Sequence, residues 1–369
     1  MPDATIQNEF FGPGIAVELG QIQRELKKLW QQSDQVATRA SRLNLVIYNS
    51  GESSIRANTE LVERITRQHA LRAILIAAKP QLPGNHVRAW VNAHCQVSKS
   101  GAKQRCSDQI AFELTGEARQ SGLAPNLVFG HLDSDLPLYL WRQGEFQSPS
   151  EQLMAWVDRL IFDSAAWPTP GSQFTIVRRI AREHDLEDAV ADLNWTRYGG
   201  LRTAVAQFFD APGAAGTLAG LRAVEITYAG GTGSRTGALL LAGWLAAQLD
   251  WTPAEGGKGT LSFRSEAGQP VSVSLDGSGD AGDPDEGKLA AAAITRVVLR
   301  AGDGAEFTVS REAGGAFYNT CARRGDGREQ CQVLPVGVWD TADLVSAELV
   351  HGGGHGTFLR ALGLVESVM

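Results

Sequence analysis

Asp192-Leu-Asn-Trp-Thr-Arg197 gathers an acid, an amide, a hydroxyl, an indole and a guanidinium in one short run. Asp192, Asn194 and Thr196 are side chains that can satisfy the free N–H groups of a first helical turn. Trp and Arg are the residue types that dominate protein interfaces. Asp192, Asn194, Trp195 and Arg197 are therefore candidates for contact with a partner, or for a hinge that caps a helix and ties two halves of the chain together. Trp141 and Arg142 form a second candidate pair at the end of an expected strand, and Trp244 and Trp251 are further interface-type aromatics.

A second chemistry is suggested by Gly230-Gly-Thr-Gly-Ser-Arg-Thr-Gly237, which falls between an expected strand and an expected helix. Backbone N–H groups and a helix dipole in that setting can hold an anion. Gly231, Gly233, Ser234, Arg235 and Thr236 are the candidate ligands of a phosphate or sugar phosphate. No Lys-Ser/Thr pair completes a P-loop and the glycine spacing is not the dinucleotide fingerprint, so a flexible connection is the competing reading.

The cysteines fall into two local pairs, Cys95 with Cys106 and Cys321 with Cys331, each bracketing a turn. A cross-strand disulfide is conceivable in either hairpin. A cytosolic compartment would keep the thiols reduced unless they act as a switch, so unpaired, partly buried thiols are expected, with all four as redox candidates. His351 and His355 are separated by three glycines, which argues against the continuous helix that would aim both at one metal. Asp133 and Asp135 read as turn formers. No Gly-x-Ser-x-Gly elbow, His-Glu-x-x-His or Cys-x-x-Cys occurs, so no catalytic residue, metal or cofactor is assigned.

The chain has 369 residues, enough for two domains with ordinary cores. Its 43% hydrophobic and 20% charged residues are those of a globular protein. A formal net charge of −7, with no basic block, argues against nucleic acid as a partner. The most apolar run, residues 238–249, is too short to cross a bilayer, and no signal-peptide pattern opens the chain. A cytoplasmic protein without membrane contact is expected.

The elements that must position these residues follow from periodicity. Residues 1–14 read as a loose, flexible arm. Ile15, Leu19, Ile22, Leu26 and Leu29 predict an amphipathic helix. Strand 43–48, a helix through Leu61 and Ile65, and strand 73–77 predict a right-handed βαβ unit. Strands are expected at 90–97, 109–115, 127–131, 136–141 and 160–162, with Pro137 placing its strand at an edge or at that strand's beginning. A helix spans 174–184, with Ile176, Val177 and Ile180 inward. Tyr198, Leu201, Val205, Phe208 and Phe209 predict one helical face, ended at Asp210-Ala-Pro-Gly213. Strand 224–228, helix 237–251, strands 259–264, 271–275 and 295–300, a meander over 306–333 and a C-terminal helix interrupted at 352–354 complete the chain. Residues 276–287 read as a mobile loop. The fold class is α/β: an N-terminal domain over 15–185 built on a mixed α/β sheet, then an α+β C-terminal domain over 186–369.

Several stretches in this order resemble one family. They are Asn44-Leu-Val-Ile47, Ala93-His-Cys95, Cys106-Ser-Asp-Gln-Ile110, Asp135-Leu-Pro-Leu-Tyr-Leu-Trp141, Asp158-Arg-Leu-Ile-Phe-Asp-Ser164, Asp192-Leu-Asn-Trp-Thr-Arg197 and Leu239-Leu-Leu-Ala-Gly-Trp-Leu-Ala246. Together they resemble the glucose-6-phosphate dehydrogenase assembly protein family, OpcA. The resemblance implies a non-catalytic partner of glucose-6-phosphate dehydrogenase that favours its active oligomer and supports NADPH supply. In photosynthetic members it implies a link to thioredoxin through cysteines, which have no matched positions here. The Gly-rich turn and His351–His355 fall outside the resemblance.

Overall fold

The computed structural model describes residues 13–31, 37–39, 41–50, 54–79, 83–97, 104–116, 122–146, 151–210, 214–255, 260–279, 294–311, 315–337, 339–351 and 356–367. Compactness divides the chain at several points rather than one. The first unit comprises Met1–Phe162, Glu183–Val190 and Thr341–Gly352; the second comprises Asp163–Arg182, Ala191–Asp340 and Gly353–Met369.

In the first unit the elements are β1 (Ile15–Val17), α1 (Ile22–Gln31), β2 (Ala37–Arg39), β3 (Asn44–Asn49), α2 (Ile55–Thr66), β4 (Arg72–Lys79), β5 (Val87–Val97), β6 (Gln104–Thr115), α3 (Leu123–Phe129), β7 (Leu138–Gln143), α4 (Glu151–Met154) and β8 (Arg159–Phe162). The strands order as β1-β5-β6-β4-β3-β7-β8, with β2 beside β6. The run from β6 to β8 is parallel, while β5 and β1 add antiparallel strands. The central strands are apolar on both faces, as a helix-covered parallel sheet requires: Leu45, Val46, Ile47, Ile74 and Phe112 are buried. The helix Thr341–Val350 also belongs to this unit and supplies Glu348 to Arg159 at 2.5 Å.

Several expectations are corrected here. Ile15 lies in β1, paired with Val91, and the helix begins only at Ile22. Residues 127–131 are not a strand: Leu123–Phe129 is a helix, with Pro125 in its first turn, where its missing N–H costs nothing, and Ala124, Leu127 and Val128 buried. Pro137 precedes β7, so the strand begins after it, and β7 lies inside the sheet between β3 and β8. The expected arm falls outside the described residues except for Pro13 and Gly14.

β9 (Val190–Asp192) carries the chain into the second unit, which also contains most of the helix α5 (Pro170–Glu183). The segment read as one helix is two short ones, α6 (Leu193–Arg197) and α7 (Gly199–Ala206), followed by a 3-10 turn, Gln207–Phe209. Tyr198 ends α6 and caps α7 at φ −95°, ψ 14°, which breaks the rod while leaving Tyr198, Leu201 and Val205 buried. Beyond lie α8 (Ala214–Ala219), β10 (Leu221–Ala229), α9 (Thr232–Gln248), β11 (Thr252–Pro253), β12 (Thr260–Arg264), β13 (Pro270–Gly279), β14 (Ile294–Ala301), β15 (Glu306–Ser310), β16 (Phe317–Arg323) and β17 (Glu329–Pro335). The helix Thr341–Val350 is α10, and α11 (Gly356–Glu366) follows. The sheet runs β11-β12-β13-β10-β14-β15-β16-β17, antiparallel except for the β10–β13 pair. Its core joins Val224, Ile226, Val273, Val297 and Leu299 to Leu239, Leu241 and Leu245 of α9. Residues 276–279 of the expected loop belong to β13; 280–287 lie outside the described residues.

Candidate functional site

The polar residues at the entrance of α6 form a closed network within the second unit. Asp192 is the N-cap: Oδ1 accepts from Asn194 N at 2.9 Å. Ser164 N donates to the same oxygen at 2.9 Å, and Ser164 Oγ donates to Oδ2 at 2.6 Å. Asn194 Nδ2 reaches Ser164 Oγ at 3.1 Å and the Gly233 carbonyl at 3.4 Å. Arg197 forks onto Asp163 at 2.7 and 3.2 Å and donates to Asn194 Oδ1 at 3.0 Å. Asp163 in turn caps the short 3-10 turn Ser164–Ala166 by accepting from Ala165 N. Two motifs nearly thirty residues apart in sequence, Asp163-Ser164 and Asp192-Leu-Asn, are thereby joined.

Burial sets the electrostatics of this knot. Ser164, Asp192 and Asn194 are wholly buried. Burial, then the charge of Asp163, push the Asp192 carboxyl up to about 7, against the pull of the three hydrogen bonds it accepts. Arg197 loses hydration, yet its bidentate contact with Asp163 wins and holds the guanidinium above its ordinary value. A hydroxyl 2.6 Å from a carboxylate has the form of an activated nucleophile, but no substrate reaches a wholly buried Ser164. The knot holds chain segments in place.

Trp195 is also interior. Its ring meets Phe358 edge-on at 5.3 Å, and the Arg202 guanidinium lies 4.0 Å over it. Trp141 is a core residue of β7, and Arg142 beside it is 9% exposed, with burial lowering its pKa. Of the candidates for partner contact, Arg197 and Trp244 are partly exposed, and Trp141, Arg142, Asp192, Asn194, Trp195 and Trp251 are buried. Their side chains are engaged in packing and leave little for a partner to touch.

The Gly-rich stretch is the start of α9 rather than a turn. Gly231, at φ +125°, is the N-cap. A Cβ on Gly233 would lie 2.6 Å from the Ala165 carbonyl oxygen, and one on Gly237 would lie 2.2 Å from the Tyr198 ring. These glycines let the helix approach the polar knot. Ser234 and Thr236 are buried, so among the proposed anion ligands the side chain of Arg235 alone is exposed. Gly233→Ala should cost about 1–3 kcal/mol of stability through overpacking against backbone, whereas Gly230→Ala, with open space around it, should be nearly neutral. Urea denaturation of both variants checks this; equal midpoints would remove the close-approach account.

The thiols expected to be free are paired. Cys95 and Cys106 are direct partners in the β5–β6 register, as are Cys321 and Cys331 in β16–β17, and each pair forms a disulfide. Opposed positions on adjacent antiparallel strands bring two Cβ atoms within bonding reach, which the bracketed-turn reading allowed and the compartment argument outweighed. Glu329 lies near Cys321 and Cys331, but both sulfurs of that cluster are in the disulfide. His351 is exposed at the end of α10, and His355 lies outside the described residues. Asp133 stands in a turn, with its N–H donating to Asn44 Oδ1 and its carbonyl accepting from Asn44 Nδ2.

A cleft of ≈ 790 Å³ in the second unit was not anticipated. Phe208 and Phe307 contribute aromatic surface, and Thr320, Gln332, Arg324 and Arg328 are among its polar lining. No local motif could reveal it, because the lining comes from four separate segments. Among the described residues no helix is long and apolar enough to cross a membrane.

Residues 62–179 match the glucose-6-phosphate dehydrogenase subunit N-terminal domain, and residues 188–362 match the corresponding C-terminal domain. The chain belongs to the OpcA family of glucose-6-phosphate dehydrogenase assembly proteins. It is 30% identical over 230 residues to a putative OxPP cycle protein OpcA of Nostoc punctiforme, a match covering 59% of this chain and 45% of that protein. It is 26% identical over 173 residues to the protein of the same description in Synechocystis, covering 45% of this chain and 34% of the relative. The matched part thus spans less than half of each of these relatives. A solved E. coli structure described as trehalose-6-phosphate bound with UDP-2-fluoro glucose covers 66% of this chain and 50% of its own at 10% identity, and its TM-score of 0.20 carries no argument.

Proposed function

We propose that this chain is a non-catalytic, cytoplasmic assembly factor. It binds glucose-6-phosphate dehydrogenase, favours the active oligomer and so raises NADPH formation in the oxidative pentose phosphate pathway. The observation that carries this reading is the consecutive match to both domains of the assembly family, over 62–179 and 188–362. The mechanism is a population shift: a partner that binds the active oligomer more tightly than the inactive form moves the balance by that difference in affinity.

Burial of Trp141 and Trp195 moves the partner-contact assignment elsewhere. Trp156 is 69% exposed and meets Phe129 edge-on at 6.1 Å, the aromatic type that serves as an interface hot spot. Titrating the purified protein into the dehydrogenase from the same cell, with NADPH formation and oligomer mass as readouts, tests the proposal. Both should rise and saturate; no change in either across a micromolar range sinks it. Trp156→Ala should fold normally and bind at least about tenfold more weakly.

A further inference from the structure

The assembly reading leaves the cleft of ≈ 790 Å³ in the second unit without a role. One wall is a face of the hairpin β16–β17, and the other is the 3-10 turn Gln207–Phe209 with Thr217 of α8. Strand alternation separates the two faces of that hairpin. Cys321 and Cys331 lie on one, and the pairs Thr320–Gln332 and Ala322–Gln330 lie on the other, beside Phe307 of β15. Ala305 and Ala322 are small at the floor, so the rings of Phe208 and Phe307, 5.3 Å apart, supply the apolar surface.

The hairpin turns through Arg324-Gly-Asp-Gly-Arg328. Arg324 N donates to the Arg328 carbonyl at 2.8 Å, so the two arginines stand opposite each other where the hairpin closes, and both line the cleft. Like charges placed directly across two strands repel. Arg328 meets Asp326 at 3.6 Å, but those side chains are 86% and 54% exposed, the setting of a weak pair. Arg324 has no acidic partner among the described residues. Of the acids that line the cleft, Asp303 accepts from Ala305 N at 2.9 Å, and Glu329 pairs in register with Arg323 on the other face. Ala211, Pro212 and Gly213, between the 3-10 turn and α8, lie outside the described residues and bring no charge. This end of the cleft offers two guanidinium groups for one anion to bridge.

From the arginines inward the lining changes in order. Two residues further along the strands, about 7 Å, the row is Phe307, Ala322 and Gln330; the next row brings Thr320 and Gln332. Gln330 and Gln332 carry primary amides, each both donor and acceptor, and among the described residues neither side chain has a protein partner. An inorganic phosphate would use the arginines alone. A ligand that uses the whole lining carries a phosphate at one end and, one row away, a planar ring with a hydrogen-bonding edge. Nucleobases fit that description: they stack on aromatic surface and pair their edges with side-chain amides. The cleft also has the volume of a small-molecule site.

We propose that this cleft binds a nucleoside monophosphate, with its phosphate between Arg324 and Arg328, its base against Phe208 and Phe307, and its polar edge bonded by Gln330 and Gln332. The assignment does not rest on the assembly function, and its test uses no dehydrogenase. Isothermal titration calorimetry of the full chain with AMP, GMP, CMP and UMP should find saturable binding of at least one. That nucleotide should bind about tenfold or more tighter than its nucleoside, ribose 5-phosphate or inorganic phosphate. Replacing both exposed arginines, Arg324→Gln with Arg328→Gln, should weaken it about tenfold or more and flatten its salt dependence. Phe208→Ala should weaken it about fivefold or more. No saturable binding of any of the four, or unchanged affinity in the folded double-arginine variant, would overturn the site. Ribose 5-phosphate, inorganic phosphate or the nucleoside binding as tightly as the nucleotide would overturn the ligand class. Should Phe208→Ala fail to fold, Gln330→Ala with Gln332→Ala takes its place: both side chains are exposed, and their loss should weaken binding several-fold, whereas unchanged affinity would overturn the role given to the base.

Discussion

Between pH 5 and pH 8 the second unit should lose about 3 kcal/mol of stability through Asp192 alone, because the folded protein holds this carboxyl up at about 7 against an ordinary 3.8. The sign follows from which state binds the proton. Below the unfolded value both states are protonated and the contribution is complete. Between the two values the folded state keeps its proton while the unfolded chain has released it, so every rise in pH favours unfolding until the folded carboxyl also ionises. Asp192→Asn keeps an acceptor for Ser164 N and Asn194 N but cannot titrate, so its stability should be flatter over this range. Asp192→Ala is the harsher change. It strands Ser164 N, Ser164 Oγ and Asn194 N in a wholly buried place, at a cost of roughly 3 kcal/mol or more. Urea unfolding of the three proteins at the two pH values, followed by tryptophan fluorescence, measures both effects. Parallel pH dependence in wild type and Asp192→Asn would show that Asp192 does not titrate in this window.

The same residues show how far the sequence could be read. Asp192 was legible as a helix cap because capping depends on the neighbouring two or three residues, and Asn194 N does lie on its side chain. Its bonds to Ser164, 28 positions earlier, were not legible, since nothing local specifies which distant loop a buried acid will meet. Strands β3 and β4 announced themselves as unbroken apolar runs, the mark of a parallel sheet covered on both faces. Residues 127–131 misled for the same reason, because a short apolar run fits a buried helix as well as a strand. Glycine at 233 and 237 looked like freedom for the backbone, whereas the Ala165 carbonyl and the Tyr198 ring show that the absent Cβ is what matters. The cysteine spacing allowed both disulfides, and the expectation of free thiols came from an assumed compartment rather than from the residues. Family membership was readable because it rests on the order of several motifs. The candidate contact residues were not, because Trp141, Trp195 and Trp156 are alike in sequence and differ only in burial.

Glu348→Ala should destabilise the first unit by about 3–5 kcal/mol, the range found when one member of a buried ion pair is removed. Glu348 is carried by α10 and Arg159 by β8, and the side chains are 1% and 4% exposed at a separation of 2.5 Å. The attraction between them offsets the loss of hydration only while both are present. Deleting the acid leaves a guanidinium in the interior, and deleting the base through Arg159→Met leaves a carboxylate there. Each single change should therefore be severe. The double change Arg159→Met with Glu348→Leu removes both charges and fills similar volume, so it should recover most of the stability. Denaturant unfolding of the four proteins closes the cycle, with hydrogen exchange on 341–350 reporting whether α10 stays docked within its unit. α10 is contributed by residues far along the chain and packs beside α2 in this unit, so its release should expose amides of α2 as well. Costs below about 1 kcal/mol for both single variants, the scale of an exposed pair, would mean that water reaches these charges and that apolar packing alone holds α10 in place.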